Sequence, residues 1–113
     1  MEQREAPRIS VVWRAVVIIA GQAPLQCKTI NVSASGCALL CPEQLAVGAS
    51  YPLAIEAPAA PGSPQKVYIE ANCIILHSIL IGQVGQFRLG IRFTEISSAH
   101  KGLIKTWIDS RGQ

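Results

Sequence analysis

Two short groups of residues have the types and spacing needed to bind an anionic ligand. The first is a pair of arginines near the N-terminus, Arg4 and Arg8, spaced as R-x-x-x-R. An arginine side chain is a planar set of donors that can grip a phosphate or pair with the O6 and N7 acceptors of guanine. Its flat face can also stack on a base. On its own, an R-x-x-x-R pair is more often part of a solvated N-terminal tail.

The second group has the pattern N-x-S-x-x-G and consists of Asn31, Ser33 and Gly36. The amide oxygen of Asn31 can accept from guanine N–H groups, and the Ser33 hydroxyl can donate or accept. Gly36 permits either a positive φ or a close approach of the backbone to a ligand. The same residues can also form a turn that satisfies its own backbone. In combination, the basic arm and the polar turn predict a site for a guanine nucleotide.

The elements that must position these groups are mostly strands. Val- and Ile-rich or alternating segments, separated by Gly, Pro and Asn signals, predict strands over residues 9–20, 25–30, 37–41, 51–57, 67–81 and 87–96. Pro52, near the start of the fourth strand, predicts an edge position for it. Ser97 or Ser98 can cap a final helix, whose apolar face carries Leu103, Ile104, Trp107 and Ile108. Strands at this spacing without crossover helices favour an antiparallel barrel, with the helix over one open end.

The first hairpin predicts how the two groups come together. A turn centred near residue 22 would pair residues whose numbers sum to about 44 in an antiparallel ladder. Arg8 would then lie opposite Gly36, and the arginine arm would run beside the Asn-Ser turn. Both groups would therefore share one surface.

Composition limits the remaining classes of function. The 113 residues predict a single domain, and a net charge of +3 is too small for a protein that coats DNA. A small RNA-binding barrel would need an aromatic stacking strip beside its basic residues, and the sequence has none. The sequence contains no paired carboxylates, nucleophile–base pair, phosphate-binding loop or metal-ligand cluster, so we expect neither catalysis nor a metal or organic cofactor.

The cysteines and the N-terminus predict the compartment. The four cysteines are Cys27, Cys37, Cys41 and Cys73, and they form no C-x-x-C pair. We expect buried, reduced thiols rather than a disulfide or a zinc site. No apolar signal segment follows the polar N-terminus, and no apolar window is long enough to span a bilayer. These features predict a soluble cytoplasmic protein without membrane insertion.

The two groups, in this order, resemble the motifs of the PilZ domain family of bacterial cyclic di-GMP receptors. The elements are Arg4-Glu5-Ala6-Pro7-Arg8 and Asn31-Val32-Ser33-Ala34-Ser35-Gly36, separated by 22 residues. Leu89-Gly90-Ile91-Arg92-Phe93 is similar to the family's G-x-x-F segment. The resemblance covers nearly the whole chain and implies a mostly β, six-stranded antiparallel barrel of the split-barrel type with a C-terminal helix. Asn31 stands where many members have Asp, and the smaller negative charge is expected to weaken binding in comparison with them.

The resemblance also implies a function. Arg4 and Arg8 would hold the phosphates and guanines of cyclic di-GMP, Asn31 and Ser33 would read a guanine edge, and Gly36 would shape the turn. The predicted parts are a flexible ligand-binding arm (1–8), the barrel (9–96) and the helix (97–111). The chain would be a receptor or adaptor that signals through an unidentified protein in motility, biofilm or type IV pilus regulation.

The alternative is a PilZ-like interaction protein of pilus assembly that does not bind nucleotide. Three further residues are interpreted more simply in the sequence. Arg14 and Arg92 are expected to be solvated, and His77 to be a partly exposed histidine rather than a base-stacking residue.

Overall fold

In the computed structural model, which describes residues 7–111, six antiparallel strands close into a barrel and one helix follows them. Around the barrel the strand order is β1-β2-β3-β6-β5-β4. The elements are β1 (Ile9–Val17), β2 (Leu25–Val32), β3 (Gly36–Cys41), β4 (Ser50–Pro58), β5 (Lys66–Ile81), β6 (Gln86–Ile96) and α1 (Ser98–Arg111). The predicted fold class is confirmed.

The register of the first hairpin differs from the predicted one. Ile9 lies opposite Val32, so Arg8 reaches the Ser33 turn and not Gly36, which instead lies opposite Arg92. The predicted pairing of Arg8 with Gly36 was therefore wrong. There are two reasons: the connection is centred one residue earlier, at Gly21 with φ 80°, and a bulge adds one residue to β1 between Ser10 and Trp13.

Two boundaries move residues of the predicted turn into strands. β2 continues to Val32 and β3 begins at Gly36, so Asn31 and Gly36 are strand residues and the turn is only residues 33–35. In contrast, β1 ends at Val17, three residues before the predicted end.

The predicted edge position of β4 was also wrong, because β4 pairs with both β1 and β5. The ladder between β4 and β1 is short and begins at Leu53, and the Pro52 carbonyl accepts from Ile18 N at 3.0 Å. The N–H and C=O of one strand residue point to the same side, so the N–H that Pro52 lacks would have pointed towards β1. That position is at the end of the ladder between β4 and β1, where no partner loses a hydrogen bond. A closed barrel can therefore hold the proline without an open edge.

The core is aliphatic, and the helix completes it. Its largest fully buried side chains are Leu39, Ile55, Ile69, Ile75, Leu89, Ile91 and Ile104. Ser97 Oγ accepts from His100 N at 3.1 Å and caps the helix. Trp107 is buried, meets Trp13 edge-on with ring centroids 5.3 Å apart, and donates from Nε1 to the Pro58 carbonyl at 3.2 Å. These contacts place the helix against β1 and β4.

Candidate functional site

The turn after β2 is held by one buried hydroxyl. Ser33 Oγ accepts from the backbone N–H groups of Ser35 and Gly36, each at 3.2 Å, and lies 3.3 Å from the Gly36 carbonyl. Ser33 N also donates to the Gly36 carbonyl at 2.8 Å. Ser33 is fully buried, so its hydroxyl serves the turn itself. A direct contact between Ser33 and a ligand stays a prediction.

Gly36 has a structural reason that the sequence did not indicate. Positive φ values occur at Gly21, Gly48, Gly62 and Gly85 among the described glycines, and Gly36 is not one of them. A β carbon built at Gly36 would lie 2.0 Å from the Ile91 carbonyl oxygen. A side chain is thus excluded by the backbone of β6, which approaches β3 closely here, and of the two alternatives considered for Gly36 the positive φ does not apply.

Arg8 and Asn31 are in direct contact. Arg8 Nη1 donates to Asn31 Oδ1 at 2.7 Å, at an exposed position where β1 begins. The second arginine of the R-x-x-x-R pair thus meets the first residue of the N-x-S-x-x-G group. Arg4, the other arginine of the pair, lies outside the described residues.

One row of paired residues continues from Asn31 across three more strands. Asn31 lies opposite Ala38 on β3, Ala38 opposite Gly90 on β6, and Gly90 opposite His77 on β5. The two middle residues are small and the two outer ones are large and polar. As a result the row forms a shallow cleft, with Ala38 and Gly90 as its floor.

The cleft has a volume of about 360 Å³, and its electrostatics favour an anion. Arg8 and the half-buried Arg88 both line it, and no carboxylate is among the residues that line it in the described part of the chain. Cys37 lies in its wall. Burial raises the pKa of the Cys37 thiol well above its usual value, although Arg8 acts in the opposite direction.

His77 lies across Gly90 at the far end of the cleft. A β carbon at Gly90 would lie 2.1 Å from His77 Nε2 and 2.3 Å from Cε1, so the ring occupies the space that a larger residue would need. The ring is exposed and presents an aromatic surface beside the polar groups. The sequence favoured a simpler interpretation of His77 and did not single out Arg88. The available signal was Gly90 in the L-G-I-R-F segment, but its partner strands could not be read from local pattern.

The other arginines weighed in the sequence lie elsewhere. Arg14 and Arg92 are exposed, and neither lines this cleft. Within residues 7–111, no group of three or more His, Cys, Asp or Glu side chains is placed to hold a metal ion. The one described helix is too short and too polar to cross a bilayer.

Comparison with known proteins identifies the class. The PilZ domain model matches residues 2–110, and the chain therefore belongs to the PilZ domain family. A search of curated protein sequences gave no match.

Three solved structures are similar in fold. The inhibitor of motility MotI/DgrA from Bacillus subtilis has a TM-score of 0.82 and 16% identity over 99% of this chain and 52% of that one. The PilZ domain of YcgR from Escherichia coli with c-di-GMP has a TM-score of 0.69 and 16% identity, over 96% of this chain and 91% of that one. YcgR from E. coli in complex with c-di-GMP has a TM-score of 0.73 and 18% identity, over 98% and 46%. This chain thus spans about half the length of MotI and YcgR.

Proposed function

We propose that this PilZ domain binds cyclic di-GMP in the cleft between Arg8 and His77. The observation that carries the proposal is the contact between Arg8 and Asn31, because it joins the two family motifs at the mouth of an arginine-lined cleft. Two PilZ-fold structures of YcgR contain the same nucleotide, which supports this choice of ligand.

The residues of the cleft suit the parts of a cyclic dinucleotide. Arg8 and Arg88 would hold a phosphate or the O6 and N7 edge of a guanine. Asn31 would accept from guanine N–H groups, and the exposed ring of His77 would stack on a base. At about 360 Å³ the cleft is at the small end of ligand pockets, roughly 300–1,000 Å³, so part of the nucleotide would extend beyond it.

The R-x-x-x-R arm would supply the rest of the site. Arg4 is proposed to hold the part of the nucleotide outside the cleft, and the arm, residues 1–8, to become ordered on binding. Apart from Pro7 and Arg8, that arm lies outside the described residues. Amide exchange of residues 2–9 with and without cyclic di-GMP tests the ordering, and equal protection in the two states would refute it.

The signal would leave through contact with another protein, without catalysis. Such a receptor or adaptor would act in the cytoplasm, in motility, biofilm or type IV pilus regulation. The alternative is a PilZ-like interaction protein of pilus assembly that binds no nucleotide, and the arginine-lined cleft favours the first function.

Calorimetric titration tests the proposal directly. Wild type is expected to bind cyclic di-GMP and neither GTP nor cyclic AMP, and its affinity should fall as salt rises because the exposed arginine is screened. Arg8→Ala should weaken binding roughly 10- to 150-fold, the equivalent of a lost charged hydrogen bond of about 1.5–3 kcal/mol. Arg8→Lys should restore part of it, since an ammonium lacks the planar fork.

Two further variants locate the site. Asn31→Ala should weaken binding as well, because it removes the acceptor at the mouth of the cleft. Arg14→Ala is the matched control, since it removes an exposed arginine that does not line the cleft. If wild type binds no cyclic di-GMP, the alternative function is preferred. If Arg14→Ala weakens binding as much as Arg8→Ala, the ligand binds elsewhere.

A further inference from the structure

β5 pairs with β6 on one side and with β4 on the other, and it extends beyond the end of β4. The side that faces β4 is called its outer edge. Its ladder with β4 ends where Ser50 lies opposite Ile74, and the segment before β4 adds only the backbone bonds of Gly48 and Ala49 to Ile75. From His77 to Ile81 the strand pairs with β6 alone. Within residues 7–111, the outer edge of residues 76–81 therefore has no strand partner.

This free edge is apolar and lacks the usual protection. Leu76, Ile79 and Leu80 are each about half exposed, at 47%, 52% and 59%. Residues 76–81 contain no Lys, Arg, Asp, Glu or Pro. Natural sheets block open edges with charges, prolines or bulges, and here the bulge between Ile75 and His77 affects only Leu76, the first residue of the free stretch. An edge of this kind is a template for another strand.

A buried hydroxyl indicates which strand fits. Ser78 Oγ is shielded from solvent and has no hydrogen-bond partner among the described residues. An unpartnered buried hydroxyl is unfavourable by about 1–3 kcal/mol as a general range. Side chains directly opposite each other in an antiparallel pair lie on the same face, with β carbons about 4.5–5.5 Å apart. A strand with a hydroxyl opposite Ser78 would supply the missing partner.

We propose that the strand is β5 of a second copy of this chain, paired antiparallel about a two-fold axis at Ser78. This pairing places the two Ser78 hydroxyls face to face, where each can donate or accept. It also places the half-exposed Ile79 opposite His77 of the second copy, so that an exposed apolar side chain is covered on the other face of the pair. With no charge in residues 76–81, the edge does not repel itself. The contact is isologous and closes at two copies.

The dimer would also border the nucleotide cleft. His77 lines that cleft, and Ile79 of the second copy would lie beside His77 at its rim. The pairing itself rests only on the free edge and Ser78, so it stands or fails independently of nucleotide binding.

Sedimentation equilibrium without nucleotide tests the proposal. A pairing of at most about five residues from each chain belongs to the small, transient class of interfaces, so protein concentrations up to about 1 mM are needed. The weight-average mass of wild type is expected to rise from one chain towards two and then stop. Ile79→Lys should weaken association at least tenfold, because a lysine on an edge strand disfavours pairing. Leu80→Lys should do the same.

Val12→Lys is the matched control. Val12 is 73% exposed on β1, away from the free edge, so this variant should associate as wild type does. The register is tested by oxidising Ser78→Cys, which should form a disulfide-linked dimer, whereas Val12→Cys should not.

A wild type that stays monomeric overturns the proposal and leaves the edge to a different partner. The proposal is also overturned if Ile79→Lys and Leu80→Lys associate as strongly as Val12→Lys does. Failure of Ser78→Cys to cross-link, with wild type dimeric, overturns the two-fold pairing at Ser78.

Discussion

Two glycines on the paired strands β3 and β6 lie against neighbours that differ in how freely they can move. A β carbon at Gly36 would lie 2.0 Å from the Ile91 carbonyl oxygen and 3.1 Å from Arg92 Cα, and both are backbone atoms. The three atoms nearest to a β carbon at Gly90 would all belong to the His77 ring, with Nε2 at 2.1 Å. Alanine at position 36 therefore makes a clash that cannot be relieved locally, whereas alanine at position 90 makes a clash that movement of one side chain can relieve.

The expected free energies differ accordingly. Carbon and oxygen need about 3.5 Å, so Gly36→Ala must separate β3 from β6 by roughly 1 Å or more and weaken their hydrogen bonds. We expect a loss of about 3 kcal/mol in the free energy of unfolding, at the upper end of ordinary overpacking. For Gly90→Ala the exposed His77 ring can rotate into solvent. The loss should be under about 1 kcal/mol, partly offset by the lower entropy of the unfolded alanine chain.

Thermal and urea unfolding, followed by circular dichroism, measure the difference. Gly36→Ala should lower the Tm by about 10–20 °C, and Gly90→Ala by less than about 5 °C. Gly90→Ala should nevertheless weaken cyclic di-GMP binding if the ring stacks on a base as proposed. Equal stability of wild type and Gly36→Ala would refute the close approach of the two strands. A large loss in Gly90→Ala would mean that His77 is fixed in place.

Three further outcomes follow from single contacts. Ser33→Ala should lower the free energy of unfolding by about 1–3 kcal/mol, because it removes the acceptor of two turn N–H groups; denaturation without such a loss would contradict this role. Trp107→Phe keeps the ring packing and removes the bond to the Pro58 carbonyl, so calorimetry should record a loss of about 1 kcal/mol beyond that of the smaller ring. Only Cys27 is partly exposed, so a thiol reagent should label one thiol of four in the native state. A hydrogen bond with Cys41 and burial raise the pKa of Cys27, so its labelling should quicken as pH rises; rapid labelling of more than one thiol at neutral pH would show an open barrel.

Local pattern was enough for the elements of this fold. β-branched runs between turn signals located all six strands to within three residues at each end, and the positions of Leu103, Ile104, Trp107 and Ile108 defined the inner face of the helix. The barrel follows because antiparallel strands of this length have few other ways to bury one face.

Pairing over longer distances could not be read from the same patterns. The earlier centre of the first turn and the bulge in β1 together move Arg8 from Gly36 to the Ser33 turn, and no residue type marks a bulge in advance. Gly36 is required by the close approach of the β6 backbone at Ile91, more than fifty residues later in the chain. Arg88 and His77 join the cleft only because β6 lies between β3 and β5. The motif residues were thus identified from the sequence, whereas the residues on the opposite side of the cleft could be identified only from the strand order.

The contact between Arg8 and Asn31 gives Asn31→Asp two opposing effects. A carboxylate would hold Arg8 more firmly before the nucleotide arrives, which disfavours exchange of that contact for a phosphate. Arg8 is exposed, however, and an exposed ion pair contributes only about 0–1 kcal/mol. A charged acceptor for guanine N–H groups contributes more, about 1.5–3 kcal/mol as a general range. The gain from the contact with guanine is larger than the loss from the contact with Arg8, so Asn31→Asp should bind cyclic di-GMP at least as tightly as wild type. Titration of wild type, Asn31→Asp and Asn31→Ala side by side measures the balance between the two effects. Weaker binding by Asn31→Asp would mean that the contact between residue 31 and Arg8 dominates. Equal affinity in all three would mean that Asn31 has only a structural role in β2.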